Sequence, residues 1–317
     1  MIKYSLPTAE NKLPQLNGVL VLNKPGGITS AACVGLIKKK LGQKKIGHAG
    51  TLDPMATGVL LVLLGQATKI SGYLLEEGQK IYNATVKFGL ETDTWDIEGK
   101  ILNETPLDTA LNSGALSFNV LHDTITGWVG VMEQQVPPYS AAKYQGKPLY
   151  ALARKGLETP YRVKTIEISR AELEWFKPPL VRFRVACSSG TYIRSLAHSL
   201  GTGFECGAVL AELTREYSHP YALDLAVNLD DLLANPELLP QKVQSLSSAL
   251  PDFPVVRLEE ADALKVRNGG LLPLASLPKV EGSKALFLDS TGRDLALAEK
   301  RQQGGNEFWG VGRGLWN

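Results

Sequence analysis

The chain contains 317 residues, 44% of them hydrophobic and 21% charged, and its formal net charge at pH 7 is +2. These values are typical of a folded globular protein, and the length allows one large and one small domain, each with its own core. The longest apolar run, residues 59–64, is far shorter than the ~20 residues that cross a bilayer as a helix. The N-terminal residues also lack the apolar segment of a signal peptide, so we expect no membrane association and a cytoplasmic location.

The cysteines and histidines argue against two kinds of site. The cysteines are odd in number and far apart, which disfavours a disulfide framework and favours a reducing compartment. The histidines show no ligand spacing, so we expect no metal site. These residues are Cys33, Cys187 and Cys206, and His48, His122, His198 and His219.

Basic residues are concentrated in two stretches of the sequence. The first fifty residues contain eight lysines and one glutamate, and a second stretch, residues 143–170, interleaves lysine and arginine with Tyr144, Tyr150 and Tyr161. Basic and aromatic side chains together suit phosphate contact and base stacking. Either stretch alone is typical of a solvated surface, but two of them on either side of a candidate site favour an RNA partner.

The first predicted elements are a buried strand at residues 18–23 and a helix capped by Thr29 or Ser30. The turn between them begins Lys24-Pro-Gly-Gly. We expect the role of Lys24 to be mainly structural, with a phosphate contact as a second role.

The segment at residues 47–58 reads Gly-His-Ala-Gly-Thr-Leu-Asp-Pro-Met-Ala-Thr-Gly. Pro54 fixes its own φ and disfavours a helical conformation at Asp53, while the glycines allow tight turns. Asp-Pro alone is typical of a plain turn. The glycine-rich context indicates a loop that holds the Asp53 carboxylate in one position, and Asp53 is the candidate catalytic group.

The segment at residues 81–88 alternates as a half-buried strand that places Tyr82 on the apolar face. Tyr82 is then a core tyrosine or a residue that contacts the substrate. The acidic turn that follows carries Asp96. From the residues alone, Asp96 is a site residue or an exposed turn residue.

A second strand, turn and helix pattern covers residues 181–200. With Thr191 as N-cap, Arg194 is the third helical residue, where the helix dipole disfavours a cation by ~0.3–1 kcal/mol. A cation in that place usually has an anionic partner. Tyr192 lies in the same turn.

The region after residue 228 is rich in leucine and proline, and short strands joined by glycine-containing turns follow it. We therefore predict an α+β protein with one domain at residues 1–250 and a small β domain at residues 251–317.

These segments, in this order, resemble the TruB-type family of tRNA pseudouridine-55 synthases. The match covers every residue of 47–58, and it extends to residues 24–30, 80–82, 88–99, 135–150, 187–201 and 213–215. The resemblance implies a mixed, largely antiparallel sheet flanked by helices, with a C-terminal module of the PUA type. It also implies a reaction on a uridine in the T-loop of tRNA, with no cofactor and no obligatory protein partner. The sequence does not give the oligomeric state, and a monomer is the default expectation.

The resemblance assigns roles to particular residues. It implies catalytic roles for Asp53, Tyr82 and Arg194, with Arg194 forming a salt bridge to Asp53. It implies RNA or substrate contacts for another set. That set is Lys24, His48, Asp96, Tyr192 and Leu213.

Several alternatives remain open at this point. One alternative is a tRNA-binding or folding-assistance protein without required catalysis. Two others are an N-glycosidase and a related synthase guided to ribosomal RNA by partner proteins. Attack by Asp53 on C1′, attack on C6 and removal of a sugar proton also remain open. The sequence departs from the family pattern at Ser199 and at residues 216–221, which leaves the local loop shape undecided.

Overall fold

The computed structural model describes residues 13–76, 78–140, 142–153, 157 and 160–316. The strands are β1 (Gly18–Lys24), β2 (Ile46–Ala49), β3 (Thr57–Leu64), β4 (Lys80–Phe88), β5 (Leu90–Thr92), β6 (Ile101–Glu104), β7 (Gly130–Gln135), β8 (Lys143–Tyr144), β9 (Lys147–Pro148), β10 (Val163–Lys177), β11 (Leu180–Cys187), β12 (Ala208–Ser218), β13 (Tyr221–Ala222), β14 (Val227–Asn228), β15 (Val243–Gln244), β16 (Val255–Arg257), β17 (Leu272–Pro273), β18 (Lys284–Leu288), β19 (Asp294–Gln303) and β20 (Asn306–Gly314). The α-helices are α1 (Ser30–Leu41), α2 (Ser71–Glu76), α3 (Asp108–Asn112), α4 (Phe118–Thr126), α5 (Leu149–Ala153), α6 (Ile193–Gly203), α7 (Leu229–Ala234), α8 (Leu238–Lys242), α9 (Leu246–Ala249) and α10 (Glu260–Arg267).

A large mixed sheet forms the body of the protein, in the order β14-β1-β3-β12-β4-β11-β10-β7. Most neighbouring strands are antiparallel, whereas β1 pairs with β14 and β3 pairs with β12 in parallel. Thr57 and Gly58, at the start of β3, lie opposite Thr214 and Arg215 of β12. The end of the Asp53 loop is therefore fixed beside the middle of the sheet.

Both faces of the central strands are covered. One face carries Leu20, Leu22 and Leu60 in a core that includes α1 and α6. The opposite face carries residues such as Val19 and Leu61, and it packs against the C-terminal part of the chain. Burial on both sides explains why residues 59–64 are continuously apolar rather than alternating.

A second sheet, in the order β16-β18-β19-β20-β17, forms the C-terminal part of the described chain. Its own core includes Trp309 and residues of α10. The Lys69 ammonium donates to the carbonyl oxygens of Gly314 at 2.7 Å and Trp316 at 3.3 Å, and the Tyr73 hydroxyl donates to Glu299 at 3.0 Å. These contacts attach the second sheet to residues 65–76, the segment that follows β3 of the first sheet.

Two predicted helix starts have different outcomes. Thr29 caps α1, because its hydroxyl accepts a hydrogen bond from the backbone N–H of Ala32 at 3.1 Å. The prediction of Thr191 as N-cap is wrong: α6 begins at Ile193 with Tyr192 as its N-cap residue. The Thr191 hydroxyl instead donates to the carbonyl oxygen of Ser188 at 2.9 Å, so Arg194 is the second helical residue.

Gly58 is required by its backbone and by its neighbour. Its φ is +100°, and a Cβ at this position would overlap with the carbonyl oxygen of Arg215. We expect Gly58→Ala to lower the free energy of unfolding by about 3 kcal/mol through strain and overpacking. Gly35→Ala is the control, since Gly35 lies in α1 with open space around it and should gain about 1 kcal/mol from helix propensity. Urea unfolding measures both, and equal losses would contradict the prediction.

Candidate active site

The backbone on either side of Asp53 is held by two residues that precede Asp53 by more than twenty positions. The Ser30 hydroxyl accepts from the Leu52 N–H at 2.9 Å and lies 3.1 Å from the Leu52 carbonyl oxygen, to which it donates. The Lys24 ammonium donates to the Pro54 carbonyl oxygen at 3.0 Å. Asp53 therefore lies between two fixed peptide units.

Lys24 is part of this scaffold. It is fully buried, and its ammonium donates to the carbonyl oxygens of Pro25, Ile28 and Pro54 at 2.7, 2.6 and 3.0 Å. Burial is the main reason that its pKa lies below the ordinary value. Because an ammonium has three protons to donate and all three are used, the expected phosphate contact of Lys24 has no donor left to make it.

Arg215 fixes the beginning of the same loop. Its side chain is fully buried and donates to the carbonyl oxygens of Val59 at 2.7 Å and Gly50 at 2.8 Å. Arg215 was not among the predicted site residues, because its only signal in the sequence is its place after Leu213 in a short motif.

The predicted contact between Arg194 and Asp53 is present. The Arg194 guanidinium lies 2.9 Å from Asp53 Oδ2 through Nε and 3.2 Å from Oδ1 through Nη2. Its remaining N–H groups donate to the carbonyl oxygens of Thr94 at 2.9 Å and Tyr139 at 2.8 Å. The Arg194 side chain is 6% exposed and that of Asp53 is 32% exposed. A buried arginine that also donates to two carbonyl oxygens thus presents a partly exposed carboxylate through a bidentate contact.

Asp96 is a second carboxylate beside the same guanidinium. Its Oδ2 lies 3.7 Å from Arg194 Nη1, and its Oδ1 accepts from the Thr94 hydroxyl at 2.7 Å and the Glu98 N–H at 3.1 Å. Asp96 is buried, which removes the alternative of an exposed turn residue. Burial raises the pKa of Asp96 above its ordinary value. Of the two carboxylates, only Asp53 is open to a substrate.

Tyr82 lies in β4 directly opposite Arg215 of β12. It is buried, and burial raises its pKa, although the nearby positive charge of Arg215 opposes the shift. Asp53 is close enough for its negative charge to raise the pKa of Tyr82 further. The phenol therefore stays protonated near neutral pH.

Comparison with known proteins decides the family. A family model described as TruB family pseudouridylate synthase (N terminal domain) matches residues 38–193. The tRNA pseudouridine synthase B of Oleidesulfovibrio alaskensis is 56% identical over 314 residues, 98% of this chain and 99% of the relative. The protein of the same name from Nitratidesulfovibrio vulgaris strain Miyazaki F is 53% identical over 308 residues, 96% of this chain and 98% of the relative. The chain belongs to the TruB family of pseudouridylate synthases.

A solved structure of lower identity has the same fold. A chain in the crystal structure of a Cbf5-Nop10-Gar1 complex is 24% identical, with a TM-score of 0.68 over 94% of this chain and 85% of that chain. This likeness confirms the predicted fold class, a pseudouridine-synthase-like mixed sheet with a C-terminal β sheet.

The other predicted contact residues of the TruB family site lie around the Asp53 loop at different depths. Leu213 is buried in β12 opposite Ala84. Tyr192 is half-buried, and its backbone N–H and C=O bond reciprocally to the Gln134 amide at 2.8 and 3.0 Å. His48 lies in β2, and its Nδ1 is buried with no hydrogen-bond partner among the described residues. Burial, followed by the charge of Arg215, lowers the pKa of His48, so the imidazole is neutral at pH 7.

The departures from the TruB family pattern leave the Asp53 site unchanged. Ser199 is exposed on α6. Glu216 forms an ion pair with Arg184 at 2.6 Å, and His219 lies 3.1 Å from the Tyr217 hydroxyl and 2.9 Å from Asp252 Oδ2. Residues 216–221 therefore make contacts of their own at the C-terminal end of β12 and with the segment that leads to the second sheet.

Lys80 is a further buried cation of the site that sequence reasoning missed. It precedes Tyr82 by two positions on β4, so both side chains leave the same face of the strand. Lys80 is 7% exposed, and its ammonium donates to the Ser189 hydroxyl at 2.9 Å. Burial, and after it the charge of Arg215, lowers the pKa of Lys80 to about 8. The alternation that identified Tyr82 was the only available signal.

Two further findings concern the described residues alone. Within that part of the chain, no helix is long and apolar enough to cross a membrane. No group of three or more potential metal ligands among these residues is arranged to hold a metal ion.

Loss of Arg194 should destabilise the protein more than loss of its ion-pair partner Asp53. Arg194→Met leaves the buried Asp96 carboxylate without its cation, so we expect a loss of about 3–5 kcal/mol in the free energy of unfolding. Asp53→Asn leaves Arg194 with Asp96 and two carbonyl acceptors, so its loss should be about 1 kcal/mol or less. Urea unfolding at pH 7 compares the two variants. Equal losses would show that Asp96 does not depend on Arg194.

Lys80 should impose a pH dependence on stability. Its pKa is about 8 in the folded protein and about 10.4 in an unfolded chain. Between these values the unfolded state binds more protons, so the free energy of unfolding rises with pH, by on the order of 3 kcal/mol at most. Lys80→Met removes this rise, and it should be the more stable protein below pH 8. Unfolding of both proteins from pH 7 to 10 gives the difference, and a constant difference would be the contrary result.

Proposed function

We propose that the protein converts the uridine at position 55, in the T-loop of tRNA, to pseudouridine. The observation that carries this proposal is the Asp53 carboxylate, which is held by buried Arg194 and lies partly exposed near Tyr82. The names of the similar curated proteins, each a tRNA pseudouridine synthase B, support tRNA as the substrate. A tRNA-binding protein without catalysis would not need this arrangement of charges.

The reaction is an isomerisation. The bond between the sugar C1′ and uracil N1 breaks, the base turns, and a bond from C5 to C1′ forms. The proton on C5 is lost and N1 takes up a proton, so the product is an isomer of the substrate. No electron is gained or lost overall and no external group is added, so the chemistry requires no cofactor. The base must first leave its stack in the RNA, at a cost of a few kcal/mol.

Asp53 acts on the extruded nucleotide. Attack on C1′, attack on C6 and removal of a sugar proton all need a carboxylate that is held in one orientation and remains accessible. The bidentate contact with Arg194 provides the orientation. The loop contacts of Leu52 and Pro54 keep the backbone of Asp53 from moving during the reaction.

Tyr82 contacts the base. Its raised pKa makes the phenol a poor proton acceptor at neutral pH, so we assign it to packing against the uracil ring and to hydrogen-bond donation rather than to general base catalysis. Leu213 and Tyr192 complete the pocket around the base. His48 is neutral, and its Nδ1 has no hydrogen-bond partner in the described part of the chain; this imidazole fills the space that the base vacates in the RNA.

The basic stretches bind the phosphates of the T-arm. Lys38, Lys39, Lys44 and Lys45 are exposed just before the Asp53 loop, and Lys164 is exposed on the other side. Parts of the second stretch lie outside the described residues. These parts are Arg154, Lys155 and the side chains of Lys143, Lys147 and Tyr150.

We place the boundary between the catalytic domain and a PUA-like RNA-binding domain at residues 250 and 251. The second domain contacts the tRNA away from the reacting base. The protein acts in the cytoplasm as a monomer, without an obligatory protein partner.

The test is the release of tritium from uridine labelled at C5 in a tRNA transcript. We expect release by the wild type and, for Asp53→Asn, a rate lower by at least about a thousandfold, as for loss of an essential catalytic group. Asp224→Asn is the matched control, since Asp224 is an exposed carboxylate, and it should react at the wild-type rate.

Two outcomes would favour the alternatives. Tight tRNA binding without tritium release by the wild type would favour a binding protein. Free uracil in the product would identify a glycosidase.

A further inference from the structure

Three cationic side chains from different strands converge next to the Asp53 loop. The Lys80 ammonium donates to the Ser189 hydroxyl at 2.9 Å, and the Lys164 ammonium donates to the Ser189 carbonyl oxygen at 3.2 Å. A Cβ placed on Gly50 would lie 3.7 Å from Lys80 Nζ and 3.4 Å from Arg215 Nη1. Lys80, Lys164 and Arg215 therefore surround the small space between Ser189 and Gly50. We call these three side chains, together with Ser189, the Ser189 cluster.

The cluster has no carboxylate to balance it. Within the described part of the chain, no ion pair includes Lys80, Lys164 or Arg215. Cys187 lies next to Lys80, but burial raises its pKa to about 11, so it is an uncharged thiol. Lys80 and Arg215 are both buried, and buried like charges without a counter-charge are unfavourable, so the arrangement is most stable when an anion enters it.

The turn before α6 leaves room for the Lys164 side chain, which reaches it from β10. Gly190 has a φ of +82°, and a Cβ there would overlap with the Lys164 ammonium. The backbone N–H groups of Ser189 and Gly190 donate to no acceptor among the residues that the structure describes. Two successive free N–H groups beside two ammonium groups are typical of an anion-binding site.

We propose that Lys80, Lys164 and Ser189 bind one phosphodiester group of the substrate RNA, beside the uridine on which Asp53 acts. This inference rests on the proposed function. The two unesterified oxygens of the phosphate suit one deep donor, Lys80, and one exposed donor, Lys164, with the Ser189 hydroxyl between them. The backbone of the extruded nucleotide is thereby fixed, and the contact offsets part of the cost of base flipping.

The test compares three single variants of the full chain, Lys80→Met, Lys164→Met and the control Lys242→Met, an exposed lysine on α8. The dissociation constant for a tRNA transcript is measured over a range of salt concentrations, and the rate of tritium release is measured at saturating tRNA. We expect the first two variants to bind about tenfold more weakly and to lower the slope of log K against log salt by about 0.7–0.9. Lys242→Met should change neither quantity.

Methylphosphonates identify the phosphate. Each transcript carries one neutral methylphosphonate linkage, at a different position along the T-loop. At one position the neutral linkage should weaken binding by the wild type. The same linkage should not weaken binding by Lys80→Met any further. No such position, or unchanged affinity and salt slope in both variants, would overturn the proposal.

Two further results are decisive. Lys80→Met could lower the rate of tritium release at saturating tRNA and leave the slope of log K against log salt unchanged. That result would overturn the proposal, because Lys80 would then act on the uracil base and not on a phosphate. Lys164 is exposed, so Lys164→Met tests the site even where Lys80→Met fails to fold. Absence of tritium release by the wild type would refute the proposed function alone, since the salt slopes require only binding.

Discussion

The contact between Arg194 and Asp53 is the constraint on which the arrangement of the site depends. The guanidinium reaches this position only because the carbonyl oxygens of Thr94 and Tyr139 accept its other protons. Four separate parts of the chain must therefore meet before Asp53 is oriented. Each part is attached to the large sheet, so completion of the sheet and formation of the site are one event. A site built in this way holds the Asp53 carboxylate in one orientation without any ligand.

The buried cations of the site are stabilised by different means, and the differences match their roles. Lys24 and Arg215 donate to backbone carbonyl oxygens, which gives these loop carbonyls the donors that they need. Arg194 lies between two carboxylates. Lys80 has only a hydroxyl as its hydrogen-bond partner among the described residues. The residue with the weakest compensation is the one best suited to receive an anion from outside.

Local patterns in the sequence predicted local features well. The alternation at residues 81–88 gave the β4 strand and the buried Tyr82, and an unfavourable cation at a helix start, read with the family motif, predicted the partner of Arg194. The contacts of Lys24 and Arg215 join segments up to 165 positions apart, and no periodicity encodes them. Burial of Asp96 follows from its bridge to Leu210 of β12, a long-range pairing. Thr191 is not the cap because α6 begins at Ile193, with Tyr192 between them, and Thr191 belongs to the preceding turn, where its hydroxyl donates to the Ser188 carbonyl oxygen.

The second sheet has a consequence that does not depend on any contact with RNA. It covers the face of β1 and β3 that carries Val19, Val21, Leu61 and Leu63, and Leu286, Leu297 and Leu315 are part of the same core. A chain that ended at residue 250 would present this apolar surface to water and would tend to self-associate. One of these strands, β3, follows the Asp53 loop directly. Loss of the C-terminal sheet would therefore reduce activity through the solubility of the catalytic part, even for a substrate too short to reach that sheet.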